Sequence, residues 1–391
     1  MFTEGLICTR CRSEFPHDEK IWLCEKCGSI LDVVYDYDKI RDKVNKKIFQ
    51  GRERSTWRYK EFLPISRGED IVSLGEGGTP TVKARAYGER FGLKNLYFKL
   101  EYLNPTGSFK DRGSTTLVSK AKEIGVRRLV EDSSGNAGSS IAAYCAKAGI
   151  DCTIFTPSSA PAGKLAQILI YGAGLERIRG TRGDVARAVR EYYEKEKVYY
   201  GSHNVNPFFT EGVKSLAFEI SEWMGWGTPD HIVFPVGGGT LLYGTYKGLR
   251  ELLGMDWIDD MPRLHCVQSD ACMPIVNAYD EGLEHVVGVE ERETVAGGVR
   301  IARPAKGLQV LRGIRETRGS AVAVSDEEVL YQQRALARLE GIFVEPTSCV
   351  TLAGLIKLLE RGEIDGGETI ILPLTGFGLK DLEVAKGQVG L

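Results

Sequence analysis

Asn104-Pro105-Thr106-Gly107-Ser108-Phe109-Lys110-Asp111-Arg112-Gly113 is the stretch on which the reading of this chain turns. It follows a short apolar run, Tyr97–Glu101, and precedes a helix-like segment. Asn-Pro and Thr-Gly punctuate a turn. The stretch therefore predicts a strand, a tight loop and a helix, with Lys110 at the loop-to-helix junction. A lysine there feels the positive end of the helix dipole, which favours its neutral form. Only neutral lysine attacks an aldehyde, so the position suits imine formation. A solvated lysine is the competing reading at this point.

Outward from this loop the same grammar recurs. Apolar runs at Leu96–Leu100, Arg128–Asp132, Cys152–Thr156, His231–Val236, Leu264–Gln268 and Thr369–Leu374 read as strands. Amphipathic stretches at Ser139–Ala148, Ala162–Tyr171, Asp184–Glu194, Thr210–Met224 and Leu242–Leu253 read as helices. Ser325 with Glu328 three residues on reads as a capping box. Strands alternating with helices predict an α/β fold with open, mostly parallel sheets flanked by helices. Ligands in such folds bind beyond the ends of strands.

Three further loops lie at such ends. Asp132-Ser133-Ser134-Gly135-Asn136-Ala137-Gly138 offers hydroxyls and free amides that could nest an anion such as a carboxylate. An ordinary capped turn is the alternative. Pro235-Val236-Gly237-Gly238-Gly239-Thr240-Leu241 lets backbone N–H groups approach a phosphate, with the Thr240 hydroxyl beside them. It has neither the Gly-Lys-Ser/Thr ending of a P-loop nor the dinucleotide spacing of glycines. Leu374-Thr375-Gly376-Phe377-Gly378-Leu379-Lys380 could present the Thr375 hydroxyl to a ring nitrogen.

Residues 1–35 stand apart. Cys8/Cys11 and Cys24/Cys27 form two Cys-x-x-Cys pairs twelve residues apart. So short a segment buries too little apolar surface to fold alone. Four thiolates at this spacing can close around zinc and supply the missing stability. With all four positions filled by cysteine, a structural zinc ribbon is expected rather than a catalytic metal. Paired redox thiols are the alternative.

The 391 residues carry a net charge of −2, with 42% hydrophobic and 27% charged residues. That balance gives no electrostatic argument for nucleic acid or an anionic membrane. No apolar run is long enough to span a bilayer, and the start is not patterned as a secretory signal. The nine cysteines are too scattered for a disulfide framework, so a reducing cytoplasm is expected.

Taken together, these segments resemble the fold-type II pyridoxal-phosphate (PLP) enzymes, the tryptophan synthase β family, and within it the threonine synthases. The resemblance runs from Leu74-Gly75-Glu76-Gly77-Gly78-Thr79-Pro80 to Lys380-Asp381. It rests on Asn-Pro-Thr-Gly-Ser-Phe-Lys-Asp-Arg-Gly, Ser-Ser-Gly-Asn-Ala, Glu345-Pro346-Thr347-Ser348 and Thr-Gly-x-Gly-Leu-Lys-Asp, in that order. An N-terminal zinc ribbon resembles archaeal-type members. The resemblance implies a two-domain PLP enzyme plus the small ribbon: ribbon 1–35; linker and first part of the large domain 36–105; small closing domain 106–185; remainder of the large domain 186–391.

It also implies roles. Lys110 is the covalent anchor of the cofactor and then the proton-transfer base. Asn136 bonds the cofactor's phenolic oxygen. Gly237, Gly238, Gly239 and Thr240 hold its phosphate, and Thr375 faces the pyridine nitrogen. Ser133, Ser134 and Ala137 cradle the substrate carboxylate; His203, Asn204 or Lys164 are the candidates to compensate for a phosphate-gripping arginine that the segment His203–Phe209 lacks. A homodimer acting on a small amino-acid substrate is implied.

The sequence departs from the threonine synthase pattern in three places. The phosphate loop reads Gly-Gly-Gly-Thr-Leu where Gly-Asn-Ala-Gly-Asn is usual, and Phe377 stands for a usual His. In His203-Asn204-Val205-Asn206-Pro207-Phe208-Phe209, Phe209 stands where an arginine usually grips the substrate phosphate. The expected reaction is conversion of O-phosphohomoserine and water to threonine and phosphate. The rival expectations are β-replacement on O-phosphoserine or O-acetylserine by sulfide or sulfite, and dehydration of serine or threonine.

Overall fold

A computed structural model describes residues 2–133, 135–158, 160, 162–180 and 182–390. The strands in chain order are β1 (Thr3–Cys8), β2 (Glu14–Phe15), β3 (Leu31–Tyr35), β4 (Thr81–Lys83), β5 (Asn95–Lys99), β6 (Arg128–Glu131), β7 (Asp151–Pro157), β8 (Gly174–Ile178), β9 (Tyr199–Tyr200), β10 (His231–Pro235), β11 (Arg263–Ser269), β12 (Ala321–Val324) and β13 (Thr369–Pro373). The helices are α1 (Tyr37–Lys43), α2 (Arg85–Phe91), α3 (Lys110–Glu123), α4 (Asn136–Ala148), α5 (Ala162–Ile170), α6 (Arg182–Glu196), α7 (Pro207–Val213), α8 (Ser215–Trp223), α9 (Thr240–Gly254), α10 (Pro274–Asp280), α11 (Gly307–Glu316), α12 (Asp326–Glu340), α13 (Pro346–Glu360) and α14 (Leu382–Val389).

The chain forms two compact units, each discontinuous in sequence. One comprises 1–78 and 104–215, the other 79–103 and 216–391. The first holds a small antiparallel sheet, β2-β1-β3, and a parallel four-stranded sheet, β8-β7-β6-β9. The second holds a six-stranded sheet, β12-β11-β10-β13-β5-β4, parallel except for β4. The expected α/β fold with open, mostly parallel sheets is therefore observed. β10 (His-Ile-Val-Phe-Pro) is buried along its whole length, as a central parallel strand covered on both faces must be. β8 lies at a sheet edge and keeps Glu176 exposed, which blunts that edge.

The strand order places the loops that matter. In the four-stranded sheet the chain steps β6, β7, β8 in one direction, then returns to the other side of β6 as β9. The six-stranded sheet does the same: β10, β11 and β12 run one way, and β13 pairs with the opposite side of β10. Each reversal is a topological switch point, where the loops after neighbouring strands part and leave a crevice. The loops after β6 and β10, both singled out in the sequence, sit at these two switch points.

The capping box at Ser325 is formed in both directions, with the Ser325 side chain accepting from Glu328 N and Glu328 accepting from Ser325 N. One expected helix differs. Thr210–Met224 is divided between α7 and α8 at Lys214, which keeps helical backbone angles but bonds its N–H to Gly212 and Thr210. Its fully buried ammonium lies 2.5 Å from Glu211 and 4.1 Å from the Tyr35 ring centroid, so the buried charge is paired.

Candidate active site

Lys110 opens α3. Phe109 precedes it as the cap and provides no side-chain hydrogen bond to the first turn; the Asp111 and Arg112 amides donate to the Ser108 and Phe109 carbonyls at 3.4 and 3.1 Å. Lys110 Nζ lies 4.3 Å from the Phe109 ring centroid. The loop before it is held by the next residue. Asp111 is fully buried and accepts from Thr106 N and Thr106 Oγ1, both at 2.6 Å, and from Ser140 Oγ at 2.5 Å. Three charge-assisted bonds thus fix the turn that delivers Lys110 and tie it to α4.

Asn136 is the first residue of α4, and Ala137 behind it is buried. A side chain at Gly138 would overlap the Ser133 carbonyl oxygen, so only glycine lets the loop after β6 fold this tightly over the helix start. Ser133 Oγ accepts from Gly135 N at 3.3 Å. Ser134 lies outside the described residues.

At the same switch point are groups the sequence reading did not single out. Glu131, the last residue of β6, has its carboxyl 2.5 Å from His203 Nδ1 and accepts from His203 N at 3.1 Å. It is fully buried, and burial pushes its pKa from 4.5 up to about 8, although the His203 amide and the Lys110 charge pull the other way. Burial also raises Asp132, whose Oδ1 accepts from Tyr200 OH at 2.8 Å. Asn204 N donates to Ser202 Oγ at 3.4 Å.

Phe209 has a clear structural role. It is fully buried, and a side chain at Gly113 would overlap its ring. α7 therefore packs closely on the helix that starts with Lys110, through Gly113 on one side and Gly212 on the other. A Cβ at Gly212 would overlap the Arg112 carbonyl oxygen.

In the second unit, Gly237, Gly238 and Gly239 follow β10, and Thr240 begins α9. A Cβ on Gly237 would stand 2.6 Å from Gly298 O. One on Gly239, whose φ is +93°, would stand 2.7 Å from Val310 Cγ2. No side chain caps α9, and its first turn carries no acidic residue, so its positive end is open to an anion. Thr375 follows β13, the parallel neighbour of β10. Its hydroxyl lies 3.0 Å from Ser348 Oγ and 3.5 Å from Glu345 Oε1. Gly376 N donates to Ser348 Oγ at 3.0 Å, and Gly298 N to Thr347 Oγ1 at 3.1 Å. The Glu345-Pro346-Thr347-Ser348 segment thus orients both Thr375 and the wall behind the glycine loop.

The four cysteines of the N-terminal module converge. Their sulfurs all lie within 4.8 Å of one another, with Cys8–Cys27 and Cys11–Cys24 each at 3.5 Å. Sulfurs sharing a tetrahedral ion at about 2.3 Å stand about 3.8 Å apart, so the cluster can hold a metal ion.

A profile of the pyridoxal-phosphate dependent enzymes matches residues 72–376. A threonine synthase of Methanocaldococcus jannaschii is 41% identical over 379 residues, covering 97% of this chain and 93% of that protein. One from Halalkalibacterium halodurans is 38% identical, covering 86% and 93% respectively. The chain belongs to the pyridoxal-phosphate dependent enzymes, in the threonine synthase family. Among solved structures, serine racemase from Dictyostelium discoideum superposes with a TM-score of 0.65 at 25% identity, covering 76% of this chain and 92% of that one.

Family membership implies pyridoxal phosphate, and the residues fit it. A lysine stands at an uncapped helix start in one unit. In the other, a glycine cradle too tight for any side chain leads into an uncapped helix. For this PLP enzyme Glu131 is the residue that sequence reasoning missed. Its only trace was a carboxylate pair, Glu131-Asp132, ending an otherwise apolar strand.

Proposed function

We propose that the chain is a threonine synthase, converting O-phosphohomoserine and water to threonine and phosphate. The observation that carries this is the 41% identity over 97% of the chain to a protein named for that activity. When bound, pyridoxal phosphate supplies an electron sink for negative charge developing on the substrate carbons. The chain's own residues do the rest. Gly237, Gly238, Gly239 and Thr240 hold the cofactor phosphate at the start of α9. Thr375, a neutral hydroxyl, meets the pyridine nitrogen without forcing a full positive charge on the ring. Asn136 bonds the phenolic oxygen.

Ser133, Ser134 and Ala137 take the substrate carboxylate, which fixes Cα within reach of Lys110. Lys110 Nζ accepts the proton from Cα. A second proton leaves Cβ, and the Cγ–O bond then breaks, phosphate departing with the bond's electron pair while Cβ and Cγ form a double bond; a proton added at Cγ makes the methyl group. Water adds its oxygen at Cβ, and a proton is returned to Cα. His203 and Asn204 address the far end of the substrate. The same reading expects structural zinc on Cys8, Cys11, Cys24 and Cys27, a homodimer, and a cytoplasmic location. It assigns 106–185 as the part that closes over substrate.

A second reading has its own observation. Phe209 fills the arginine position and is committed to packing on Gly113, so it cannot be replaced by a cation without loosening α7 from α3. This favours a substrate without phosphate, handled by β-replacement or dehydration. A panel of O-phosphohomoserine, O-phosphoserine, O-acetylserine, serine and threonine, with and without sulfide or sulfite, decides. Threonine and phosphate from O-phosphohomoserine support the proposal. Turnover of another substrate with none of O-phosphohomoserine rejects it.

A further inference from the structure

We infer that Trp22, on the cysteine module, is a positioning residue for the substrate side of the active site, acting through Tyr199 and Tyr200. Trp22 sits two residues before Cys24, in the second cysteine turn. That turn is closed by its own backbone bonds: Cys24 N to Ser29 O at 2.8 Å, Gly28 N to Cys24 O at 2.8 Å, and a bridge pairing Leu23 with Ile30. The place of Trp22 is therefore set by the fold of the cysteine module.

Its indole meets three tyrosine rings of the same unit, each edge to face. The centroids are 5.1 Å to Tyr193, 5.6 Å to Tyr199 and 5.9 Å to Tyr200, at interplanar angles of 81°, 88° and 83°. Tyr193 and Tyr200 stack on each other at 5.0 Å. Such pairs contribute beyond their buried area and fix ring orientation.

Both tyrosines of β9 then reach the site. Tyr200 OH donates to Asp132 Oδ1 at 2.8 Å, in the loop that continues into Ser133. Tyr199 OH accepts from Asn206 Nδ2 at 2.8 Å. Asn206 caps α7 by accepting from Phe208 N at 3.1 Å, and α7 carries Phe209 against Gly113 in the Lys110 helix. The module meets the same body elsewhere too: β3 packs on α7, with Lys214 Nζ 4.1 Å from the Tyr35 ring centroid. Tyr35 OH donates to Glu211 at 2.6 Å, and His17 Nδ1 lies 3.1 Å from Lys120 Nζ. These contacts anchor it; those of Trp22 lead on through Tyr200 to the Asp132 loop and through Tyr199 to the α7 cap. The cysteine module thus does more than stabilise itself: it sets the loop that receives the substrate carboxylate.

This inference rests on the reading of that loop as the carboxylate cradle. The test uses full-length holoenzyme with four variants: Trp22→Ala, Trp22→Phe, Tyr200→Phe and the Trp22→Ala/Tyr200→Phe double variant. Trp22→Ala is expected to lower kcat/KM by roughly tenfold, mainly through KM, a change equivalent to about 1.4 kcal/mol. Cofactor absorbance is expected to stay unchanged. Trp22→Phe, which keeps an aromatic edge, is expected to recover most of the loss. Tyr200→Phe keeps the ring contact but removes the bond to Asp132, and is expected to raise KM likewise. In the double variant the losses should fall short of additive, because they act on one element.

Amide hydrogen exchange supplies a readout independent of turnover. Trp22→Ala should speed exchange at Glu131–Ser133 and Tyr199–Asn206, leaving α9 as in the wild type. Unchanged exchange at those segments overturns the coupling, whatever substrate the wild type prefers. Faster exchange there with unchanged KM overturns the functional role. Fully additive losses, or no recovery in Trp22→Phe, also overturn it.

Discussion

The carboxyl of Glu131 offers a test whose size follows from its surroundings. It is fully buried at the end of β6 with His203 Nδ1 at 2.5 Å, and its pKa stands at about 8 against an ordinary 4.5. Over that interval, at 1.36 kcal/mol for each pH unit, the charged form is disfavoured in the fold by about 5 kcal/mol. The sign follows from linkage. Between pH 4.5 and 8 the unfolded chain has released this proton while the folded chain keeps it, so stability falls as pH rises through the window. Below 4.5 both states hold the proton and the contribution is complete.

Glu131→Gln keeps the shape and a polar partner for His203 but cannot ionise. Its stability relative to wild type should therefore climb with pH, by about 3 kcal/mol or more from pH 5 to 8.5, with the full 5 kcal/mol as the ceiling. A chain of two units need not unfold in one step, so the assay is amide exchange at Leu129 and Val130 in β6. The ratio of variant to wild-type rates at each pH cancels the intrinsic pH dependence of exchange. A ratio that stays flat from pH 5 to 8.5 would refute the argument, for it would mean that the buried carboxyl ionises at its ordinary pKa.

Three other outcomes are expected. Gly113→Ala should destabilise by about 1–3 kcal/mol, because overpacking against Phe209 outweighs the gain of under about 1 kcal/mol from replacing a helical glycine. Phe209→Leu in that background should restore part of the loss, read from denaturation midpoints. Gly237→Ala should raise the dissociation constant for pyridoxal phosphate by roughly tenfold or more, since its Cβ forces the loop away from Gly298 O at a cost of about 1–3 kcal/mol; spectroscopic titration of apoprotein would read it, and wild-type affinity would refute the cradle. Removing metal with a strong chelator should make Cys8, Cys11, Cys24 and Cys27 react quickly with a thiol reagent, while the buried Cys145, Cys152, Cys266, Cys272 and Cys349 stay slow. Equal reactivity before and after chelation would count against a bound metal.

Much of the architecture was legible because its signals are local. The Ser325–Glu328 capping box is a four-residue pattern, and it forms as written. Strands such as His231–Pro235 announce themselves by unbroken burial. β8 was not legible: an edge strand with Glu176 and Arg177 lacks any continuous apolar run. The division of Thr210–Met224 at Lys214 was hidden too, because it involves a buried ammonium paired with Glu211 and set against Tyr35, a residue far away in the chain. The loops that gather at the two switch points could be picked out one by one. Their meeting at reversals of strand order depends on pairings that no single segment encodes. Glu131 shows the same limit, since a carboxylate letter carries no sign of whether it will be buried against a histidine.

Glu131 and Phe209 also bear jointly on the substrate. An arginine at position 209 would balance a phosphate dianion directly. Here that volume is apolar and committed to the α3–α7 contact. An ionised Glu131 beside Lys110 would add repulsion to the missing attraction. A protonated one removes it: below about pH 8 the Glu131 carboxyl is neutral and adds no repulsion to an incoming anion. Burial of Glu131 thus does by subtraction part of what an arginine does by addition. On this argument phosphate binding is available without the usual guanidinium, but it depends on the proton that Glu131 retains. A phosphorylated substrate should then bind more weakly as pH passes 8, whereas serine, threonine or O-acetylserine should be nearly indifferent. The departure at Phe209 and the threonine synthase reading are compatible through that one buried proton.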